Sequence, residues 1–411
     1  MIRCLYIVLL GGILLTAQAV ATDLMNRKVS IQTGDAACQN VPLEIPVEDA
    51  EVPEAFAVKN SETGTLYPAT LCGGKLVFVV DALGANAQVL AEVLPVEKTD
   101  STVPRVHIAK HSDEDVLDVQ VDGVLFTRFH YGVQWKKPFL WPIKTEGGVG
   151  VTRDFPMEVE STPKIARDHP HQKSLWSAYG DVNGTDFWAE GVDAGNQRVK
   201  DVTFGSGDAC GWIRSLSHWE NKEGVPLLEE TREYRIYATP ENGRLLDVRV
   251  VLKAAQGEVL LKDTKEGGIV AVRMNPAICH AKAVITNAHG DKGEKTAWGK
   301  PSAWCDFSGE MPEAGWRGIA IFDHAANLRH PTCWHVRNYG LMAANPFGYS
   351  FFIEEAYNKG LIPENGDYTI AAGGELVFNY RVFVHSGTAE EAAVAARYRE
   401  YAEPPKVGFV E

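Results

Sequence analysis

Short apolar runs separated by glycine, proline and asparagine recur along this chain, and this punctuation constrains the fold more than any other feature. Val119–Val121 and Val124–Phe129 flank Asp122-Gly123, a two-residue pair typical of a β-hairpin turn. Similar strand runs are Thr231–Ala238, Leu245–Leu252, Arg317–Phe322 and Glu375–Val384. Many short strands joined by such turns predict an all-β sandwich or barrel, because a βαβ fold needs helices between its strands.

One segment, Thr388–Tyr401, has a clear helical pattern. Thr388 and Glu391 have the spacing of a capping box, in which each side chain bonds the other residue's backbone N–H. Alanine and glutamate fill the following turns, and Pro404-Pro405 stops the pattern. The sequence therefore predicts a C-terminal helix after the strands.

The first residues have the pattern of an export signal. Arg3 precedes an apolar stretch, Leu5–Leu15, and Ala17-Gln18-Ala19 fits the small-x-small cleavage pattern. The apolar stretch is too short for a confident membrane span. We therefore predict a signal peptide at residues 1–19, a periplasmic or secreted protein, and no membrane span after cleavage.

About 390 residues then remain, enough for one large or two ordinary domains. The polar stretch Val93–Val103 is typical of a linker. We predict a small β-sandwich module at residues 24–100 and a larger β domain at 101–411 that carries the site. The net charge of −14 argues against nucleic acid as a partner, because phosphates require clustered lysine and arginine.

Six cysteines follow the predicted signal peptide. An even number in an exported chain favours disulfides, and we predict Cys38–Cys72 because both fall in the small module. The other four are either paired or buried free thiols. A cysteine zinc site is not expected, since the chain has no CxxC motif.

His169-Pro170-His171 is the first candidate for chemistry. On a strand, residues i and i+2 point to one face, so the two imidazoles would converge on one substrate or one metal ion. The alternative is a pair of loop histidines that bond carbonyl groups. A divalent metal is the weaker of the two functional interpretations, because an HxH motif alone is a weak metal signal.

A second candidate is Lys265-Glu266, followed by Arg273 in an apolar strand. A lysine beside a glutamate at a strand end can act as a general acid or base. The alternative is an exposed charged turn.

A third candidate is Asp306 with Trp304, since indole rings stack on sugars and a carboxylate accepts bonds from sugar hydroxyls.

A fourth cluster places Asn327, Arg329, Trp334, His335 and Arg337 within eleven residues. On an extended segment the histidine and both arginines share a face. Their charges would repel each other unless an acid or an anionic or polyhydroxylated ligand neutralised them. The alternative is a structural arginine network that bonds loop carbonyls.

These segments together resemble a family of secreted bacterial proteins known as PmoA-like, or "methane oxygenase PmoA". The motifs are DHPHQKSLW, GDVNGTDFW, DTKEGG, WGKPSAWCDFSG and NLRHPTCWHVRNYGLMAANPFG. Family members more often have His-His-Arg where this chain has His171-Gln172-Lys173. The name implies a copper membrane monooxygenase, which needs several membrane spans that this chain lacks. The all-β body looks instead like the galactose-mutarotase type of β-supersandwich, whose members include sugar epimerases, polysaccharide lyases and glycoside-processing enzymes.

We therefore predict an exported enzyme that acts on a sugar or oligosaccharide by acid/base chemistry, of epimerase, lyase or hydrolase type, with no cofactor. The predicted acid/base groups are His169, His171, Glu266, Asp306 and His335. The predicted substrate-binding residues are Lys173, Trp176, Asn183, Asp186, Trp188, Lys265, Arg273, Trp304, Asn327, Arg329, Trp334, Arg337 and Asn345. The alternatives are a non-catalytic sugar-binding protein and a metal enzyme with His169 and His171 as ligands.

Overall fold

The computed structural model describes residues 22–47, 50–97, 103–112, 115–239, 243–353 and 365–410. Three segments named in the sequence analysis lie outside the described residues. They are the predicted signal peptide, residues 98–102 of the linker and residues 240–242 of the turn. Strands dominate these ranges. The first eight strands are β1 Thr22–Asp23, β2 Lys28–Gln32, β3 Cys38–Pro46, β4 Ala50–Glu51, β5 Phe56–Asn60, β6 Leu66–Cys72, β7 Lys75–Leu83 and β8 Gln88–Pro95.

The rest of the chain continues in the same style. Its strands are β9 Val106–Lys110, β10 Val116–Val121, β11 Val124–His130, β12 Phe139–Leu140, β13 Leu175–Tyr179, β14 Asn196–Gly205, β15 Cys210–Glu220, β16 Pro226–Tyr237, β17 Arg244–Lys253, β18 Val259–Leu261, β19 Gly267–Arg273, β20 Val284–Asn287, β21 Trp304–Met311, β22 Gly315–Asp323, β23 Cys333–Arg337, β24 Leu341–Asn345, β25 Tyr368–Ile370, β26 Glu375–Ser386 and β27 Lys406–Phe409. The α-helices in the described ranges are α1 Glu294–Ala297, α2 Tyr349–Phe352 and α3 Val394–Ala402. Short 3₁₀ turns lie at Lys164–Ala166, Pro276–Ile278 and His280–Lys282. The all-β prediction is confirmed.

The predicted hairpin at Asp122-Gly123 joins β10 to β11. Both residues have positive φ angles, 52° and 77°, which a two-residue hairpin turn requires and which Gly and Asp tolerate. Strands β16 and β17 also pair antiparallel, from Glu229 with Lys253 to Ile236 with Leu246.

Two eight-stranded sheets build the large sandwich. The first sheet has the order β23-β24-β19-β13-β12-β11-β10-β9, and the second has the order β14-β15-β16-β17-β26-β22-β21-β20. Val272 and Trp334 of the first sheet share one buried cluster with Tyr234, Val248 and Val382 of the second. The inner faces of both sheets therefore form a common apolar core, as in a sheet-on-sheet packing.

A third sheet has its own core near the N-terminus. Its order is β27-β2-β8-β5-β6-β7-β3, and Val29, Val58, Phe78 and Val93 are among its fully buried residues. The last strand, β27, pairs antiparallel with β2 although more than 370 positions of sequence separate them (from 32 to 406). A boundary near residue 100 did not predict this return of the chain.

The predicted Cys38–Cys72 disulfide is wrong. The six described cysteines are free and buried. Cys38 lies in the core of the N-terminal sheet, whereas Cys72 lies in a different cluster with Cys210, between that sheet and the second sheet. The prediction relied on the proximity of the two cysteines in sequence, but their side chains lie in different apolar cores.

The C-terminal helix begins later than predicted. The capping box exists, because Thr388 N donates to Glu391 Oε2 at 2.8 Å and Glu391 N donates to Thr388 Oγ1 at 3.2 Å. Ala393 then has a left-handed φ of 54°, which interrupts the helical path, and α3 starts at Val394. No helix in the described ranges is both long and apolar enough to cross a bilayer.

Candidate functional site

The candidate site lies on the face of the first sheet that points away from the core. Trp176 pairs with Ala271, Ala271 with Ala343, and Ala343 with His335, so one row crosses β13, β19, β24 and β23. Side chains alternate between the two faces of a strand. Since Val272, Ala344 and Trp334 point into the core, this row points outward. We call this surface the outer face.

The DHPH segment lies over the outer face as a turn. The sequence left open a strand or a loop there, and the structure has a turn: Gln172 N donates to His169 O at 3.0 Å, and His169 has a φ of 43°. The two imidazoles nevertheless lie together, with ring centroids 5.6 Å apart and an angle of 77° between them. The turn, and not strand alternation, brings the rings together.

Two buried arginines hold this turn in place. Arg153 donates to the carbonyl oxygens of His169 and Gln172 at 2.9 and 3.0 Å and to Asp168 Oδ1 at 2.9 Å. Arg273 donates to the same carboxylate oxygen at 2.6 Å and also bonds the Gln172 side chain. Burial alone would raise the pKa of Asp168, but the two arginines lower it to about 2.

Arg273 is therefore a positioning residue. Its side chain is only 2% exposed and is bonded to the turn, so the structure does not place it at the accessible surface where the sequence predicted it to bind substrate. An arginine inside an apolar strand does contribute to the site, as the sequence indicated. It serves through Asp168 and Gln172, which fix the orientation of the histidines.

Tyr339 joins the DHPH turn to the second long motif. It lies in the tight turn between β23 and β24, and its ring stacks on His169 with centroids 5.3 Å apart and planes 11° apart. Arg273 Cζ lies 4.3 Å from the centre of the same ring. Burial raises the pKa of Tyr339, so its hydroxyl keeps its proton and can donate a hydrogen bond. Sequence reasoning missed this residue, although it stands inside the motif WHVRNYG.

His335 and Arg337 both lie on β23 and both face outward, as their spacing predicted. His335 is 3% exposed, and its ring makes a hydrogen bond to the Lys265 backbone while Nδ1 has no partner among the described residues. Arg337 Nη1 lies 3.3 Å from Glu294 Oε1 and its guanidinium lies 5.0 Å from the Trp298 ring centre. The acid that the sequence required to neutralise this arginine is therefore Glu294.

We expect His335 to make stability depend on pH. Burial, and then the charge of Arg337, lower its pKa to about 3. An unfolded histidine binds a proton below about pH 6.5, so the unfolded state takes up the proton first and stability falls as the pH drops from about 7 toward 3. The contribution lost by about pH 5 is on the order of 2 kcal/mol.

Urea unfolding at pH 7 and pH 5 measures this effect. His335→Gln should lose less stability between the two pH values than the unmodified chain does. His218→Gln, at a half-exposed ring on the second sheet, is the control. Equal losses in the unmodified chain and in His335→Gln would contradict the assignment.

Lys265 and Glu266 remain accessible at the edge of this region. Their side chains are 40% and 45% exposed, and Lys265 Nζ lies 3.6 Å from Glu266 Oε1. The charge of Glu266 reaches the Tyr339 hydroxyl and helps to raise its pKa. These two residues, the ring of His169 and the partly exposed His171 are the groups that a ligand on the outer face would meet first.

A buried ionic group underlies His171. Lys173 bonds Glu190, and Lys137 Nζ lies 3.4 Å from the other oxygen of that carboxylate. Lys173 is 1% exposed, so the structure places it beneath the site and not at the accessible surface where the sequence predicted it to bind substrate. Burial, and then the charges of Lys137 and His169, lower the pKa of His171 to about 3. The sequence did not single out Lys137 or Glu190, because neither lies in a histidine motif.

Aromatic rings form the floor beneath these charges. Trp188 lies 5.5 Å from Trp176 and 6.0 Å from His171, measured between ring centroids, and Lys173 Nζ lies 5.4 Å from the Trp135 ring centre. Trp176 and Trp188 are 1% and 2% exposed, so they support the site from below and offer no open face for stacking. Their indole N–H groups have no partner among the described residues.

Several predicted ligand-binding residues instead hold the backbone. Asn183 and Asn345 exchange hydrogen bonds with backbone groups of neighbouring turns, and Asp186 accepts from the backbone N–H of Trp188 at 2.7 Å. Asn327 bonds Asp323 and the backbone of Asn379. Their short polar side chains therefore satisfy the backbone groups of loops.

Arg329 follows the structural alternative. The residue has a φ of 59° and does not lie on the strand that was assumed. Its guanidinium donates to three loop carbonyls, those of Pro346, Gly366 and Asp367, at 2.7 to 3.1 Å. Arg329 is thus separated in direction from His335 and Arg337, although the spacing predicted one shared face.

The remaining three predictions fall elsewhere in the molecule. Trp334 is fully buried between the two sheets, and its Nε1 donates to Ser302 O at 2.7 Å. Trp304 packs in the cluster that also holds Val394 of α3. Asp306 is fully buried on the second sheet and lies 2.7 Å from His385 Nε2. None of them is on the outer face of the first sheet, so their assignment to this site is wrong.

In the described part of the chain, no group of three or more His, Cys, Asp or Glu side chains is arranged to hold a metal ion. His169 Nδ1 is taken by Asp168 Oδ2 at 2.5 Å. A carboxylate in this position fixes the tautomer of the imidazole and leaves Nε2 to face a ligand. Asp168 opens the motif DHPH, so an acid directly before a histidine was the signal that could have identified it.

A cavity of about 550 Å³ lies away from this site, on the outward surface of the second sheet. Alternate residues of β15, β16 and β17 place Arg214 beside Glu233 and Glu233 beside Arg249. Trp212 contributes a half-buried indole at one end, and Lys75 of the N-terminal sheet borders the cavity. We call this cavity the charged cleft. No motif in the sequence pointed to it, because its residues are spread singly over long strands.

Comparison with known proteins gives one family and distant structural likenesses. No curated protein matches the sequence. An α-galactosidase from Lactobacillus brevis aligns with 67% of this chain at 8% identity and a TM-score of 0.36, and the chain spans 40% of that enzyme. The Slr1438 protein from Synechocystis sp. PCC 6803 aligns with 71% of the chain, over its own full length, at 10% identity and a TM-score of 0.27.

A TPR-domain containing protein from Parabacteroides distasonis aligns with 87% of this chain and 56% of its own length, at 9% identity and a TM-score of 0.26. Likenesses this distant say nothing about the reaction. A family of unknown function, DUF6807, matches residues 116–399, which include every strand of the two sandwich sheets except β9 and every residue of the outer-face site. The chain belongs to this family, DUF6807.

Proposed function

We propose that this protein is a carbohydrate-active enzyme that transfers protons at a sugar bound on the outer face. The observation that carries the proposal is the contact of the His169 ring with the rings of His171 and Tyr339. The two imidazoles can act as an acid/base pair, and the Tyr339 hydroxyl is a neutral hydrogen-bond donor. Residues of these types, held rigidly by the two buried arginines, suit acid/base catalysis at a hydroxyl or a ring carbon. Epimerase, lyase and hydrolase reactions all need this chemistry.

The roles follow from exposure and hydrogen bonding. His169 is oriented by Asp168, as a general base or acid is when a carboxylate fixes its tautomer. His171 is neutral at neutral pH and makes no hydrogen bond to another described residue through its ring. Tyr339 would donate to a substrate oxygen, and Glu266 would accept from a sugar hydroxyl.

The charges around His171 favour an acidic sugar. Lys137, Lys173 and Arg153 all lower the pKa of this imidazole, and a single carboxylate, Glu190, serves both lysines. A uronate carboxylate bound beside the ring would offset those positive charges and raise the pKa of His171 toward the range where it exchanges protons efficiently. We therefore propose uronate-containing sugars as the substrate class.

Tyr339→Phe tests the proposal. The substitution removes one donor to a developing negative charge, and we expect turnover of a uronate glycoside to fall about 10- to 100-fold. The assay is NMR detection of new sugar products from a panel of neutral and acidic glycosides. Tyr131→Phe, at a partly buried ring elsewhere on the first sheet, is the matched control.

Two outcomes would contradict the proposal. One is a panel in which no acidic or neutral sugar is converted, and the other is unchanged turnover in Tyr339→Phe. Activity that depends on an added divalent metal and disappears with a chelator would support instead the metal enzyme with His169 and His171 as ligands.

Export, as the N-terminal pattern and the resemblance to secreted PmoA-like proteins suggest, is also part of the proposal.

A second candidate function is carbohydrate binding without catalysis, and the charged cleft favours it. A half-buried indole beside two arginines suits an acidic sugar ring, because the indole stacks and a sugar carboxylate would bond the guanidinium groups beside Glu233, which pairs with Arg249 at 3.5 Å. We expect Arg249→Ala to weaken binding of polygalacturonate oligosaccharides at least 5-fold in calorimetric titrations. Arg128→Ala, on the first sheet, is the control. Equal affinity in the unmodified chain and in Arg249→Ala would exclude the charged cleft.

A further inference from the structure

Cys72 and Cys210 approach each other across the boundary between the N-terminal sheet and the second sheet. Cys72 ends β6 and Cys210 begins β15. The neighbouring backbones are already tied, because Ala209 N donates to Thr70 Oγ1 at 3.0 Å. Both thiols are buried in one cluster and share a hydrogen bond.

We propose that Cys72 and Cys210 form a disulfide that links the N-terminal sheet covalently to the sandwich. The cross-link needs an oxidant, and the class we name is a disulfide-bearing one, either a thiol–disulfide oxidoreductase or oxidised glutathione. The Cys72 thiolate attacks the oxidant's S–S bond and forms a mixed disulfide, which releases one thiol of the oxidant. Cys210 then loses its proton, attacks the Cys72 sulfur and releases the second thiol. Two cysteine thiols are oxidised to one cystine and one disulfide is reduced to two thiols, so atoms and electrons balance.

The surroundings distinguish the two roles. Cys72 borders the charged cleft, which gives an oxidant a route to its sulfur, whereas Cys210 is completely buried. Arg235 extends over the same turn, since a side chain built at Gly73 would lie 3.9 Å from its Nη2. The hydrogen bond from Cys210, and then the positive charge of Arg235, lower the pKa of Cys72, and the pKa of Cys210 is raised. A thiol with a lowered pKa is the one that attacks.

The bond would close a loop of more than 130 residues, from 72 to 210. Closing so long a loop restricts the unfolded chain strongly, and disulfides of this kind raise the melting temperature. We expect the oxidised protein to melt about 5 °C or more above the reduced protein. The cross-link would also keep Cys72 from other reactions at the wall of the charged cleft.

Peptide mass spectrometry of the full chain tests the proposal. The protein is incubated with oxidised glutathione or with dithiothreitol, denatured, alkylated and digested. We expect a Cys72–Cys210 cross-linked peptide in the oxidised sample alone, and its loss in Cys72→Ser. Cys38→Ala is the matched control and should keep the cross-link, because Cys38 lies in a different core.

Three results would overturn the inference. The first is separate alkylation of Cys72 and Cys210 in the oxidised, folded protein. The second is a stable glutathione adduct on Cys72 without closure to Cys210. The third is a cross-link between Cys38 and Cys72, which would place the two thiols in one core. The unmodified protein answers the question, so the result does not depend on whether a serine variant folds.

Discussion

His171→Ala is expected to lower the turnover of an acidic sugar by about 100- to 10,000-fold, the range that a general acid or base contributes. The imidazole lies between the His169 ring and the Trp188 ring and is partly open to solvent. Alanine removes the proton-transfer group and leaves the arginine-held turn intact, because the bonds that hold the turn come from Asp168, Gln172 and backbone carbonyls. We therefore expect a large loss in kcat with an unchanged fold.

Steady-state kinetics and circular dichroism together check this prediction. His218→Ala, on the second sheet, is the control and should keep full activity. Added imidazole should restore part of the activity of His171→Ala, which a purely structural role would not allow. Unchanged kcat in His171→Ala would exclude His171 from proton transfer.

Glu230→Ala is expected to lower the free energy of unfolding by about 3 to 5 kcal/mol. Glu230 bonds Arg232 inside the sandwich core, and both side chains are 1% exposed. The carboxylate also accepts from Trp219 Nε1 at 2.6 Å. Removal of the carboxylate leaves a guanidinium charge and an indole N–H buried without their partner, and an uncompensated buried charge is costly.

Urea denaturation measures the change, and two further variants locate its cause. Asp193→Ala removes an exposed ion pair with Lys222 and should leave the denaturation midpoint unchanged. The double variant Glu230→Leu with Arg232→Leu removes both charges together and should recover much of the lost stability. A double variant as unstable as Glu230→Ala would show that the buried charge is not the cause.

Local patterns predicted the strands well, because they depend on alternation and turn chemistry. Asp122-Gly123 specifies a hairpin from two residues, and the apolar runs near Leu245 and Glu375 became long antiparallel strands. The helix start was missed, since a left-handed Ala393 between the capping box and α3 has no signal in composition. Likewise, no local pattern shows that the final strand, β27, returns to the N-terminal sheet.

The site was predicted in part, and the failures have a common physical reason. The motifs located His169, His171, His335 and Glu266 on one surface, but composition does not reveal the direction of a side chain. Trp334 and His335 are adjacent in sequence, and strand alternation sends the indole into the core and the imidazole outward. The arginines were ambiguous for the same reason. A buried guanidinium that bonds carbonyl groups and a guanidinium that faces a ligand can have similar neighbouring residues in the sequence.

The pairing of β27 with β2 has a consequence for biosynthesis. Residues 28–32 leave the ribosome early, yet their edge partner, residues 406–409, is made among the last. One edge of the N-terminal sheet therefore stays unpaired through nearly the whole of translation. An unpaired edge can form hydrogen bonds with strands of other chains. We expect nascent chains that stall before residue 406 to be prone to aggregation. A chaperone, or rapid transfer to the compartment in which the protein folds, would protect this edge until the final strand is made.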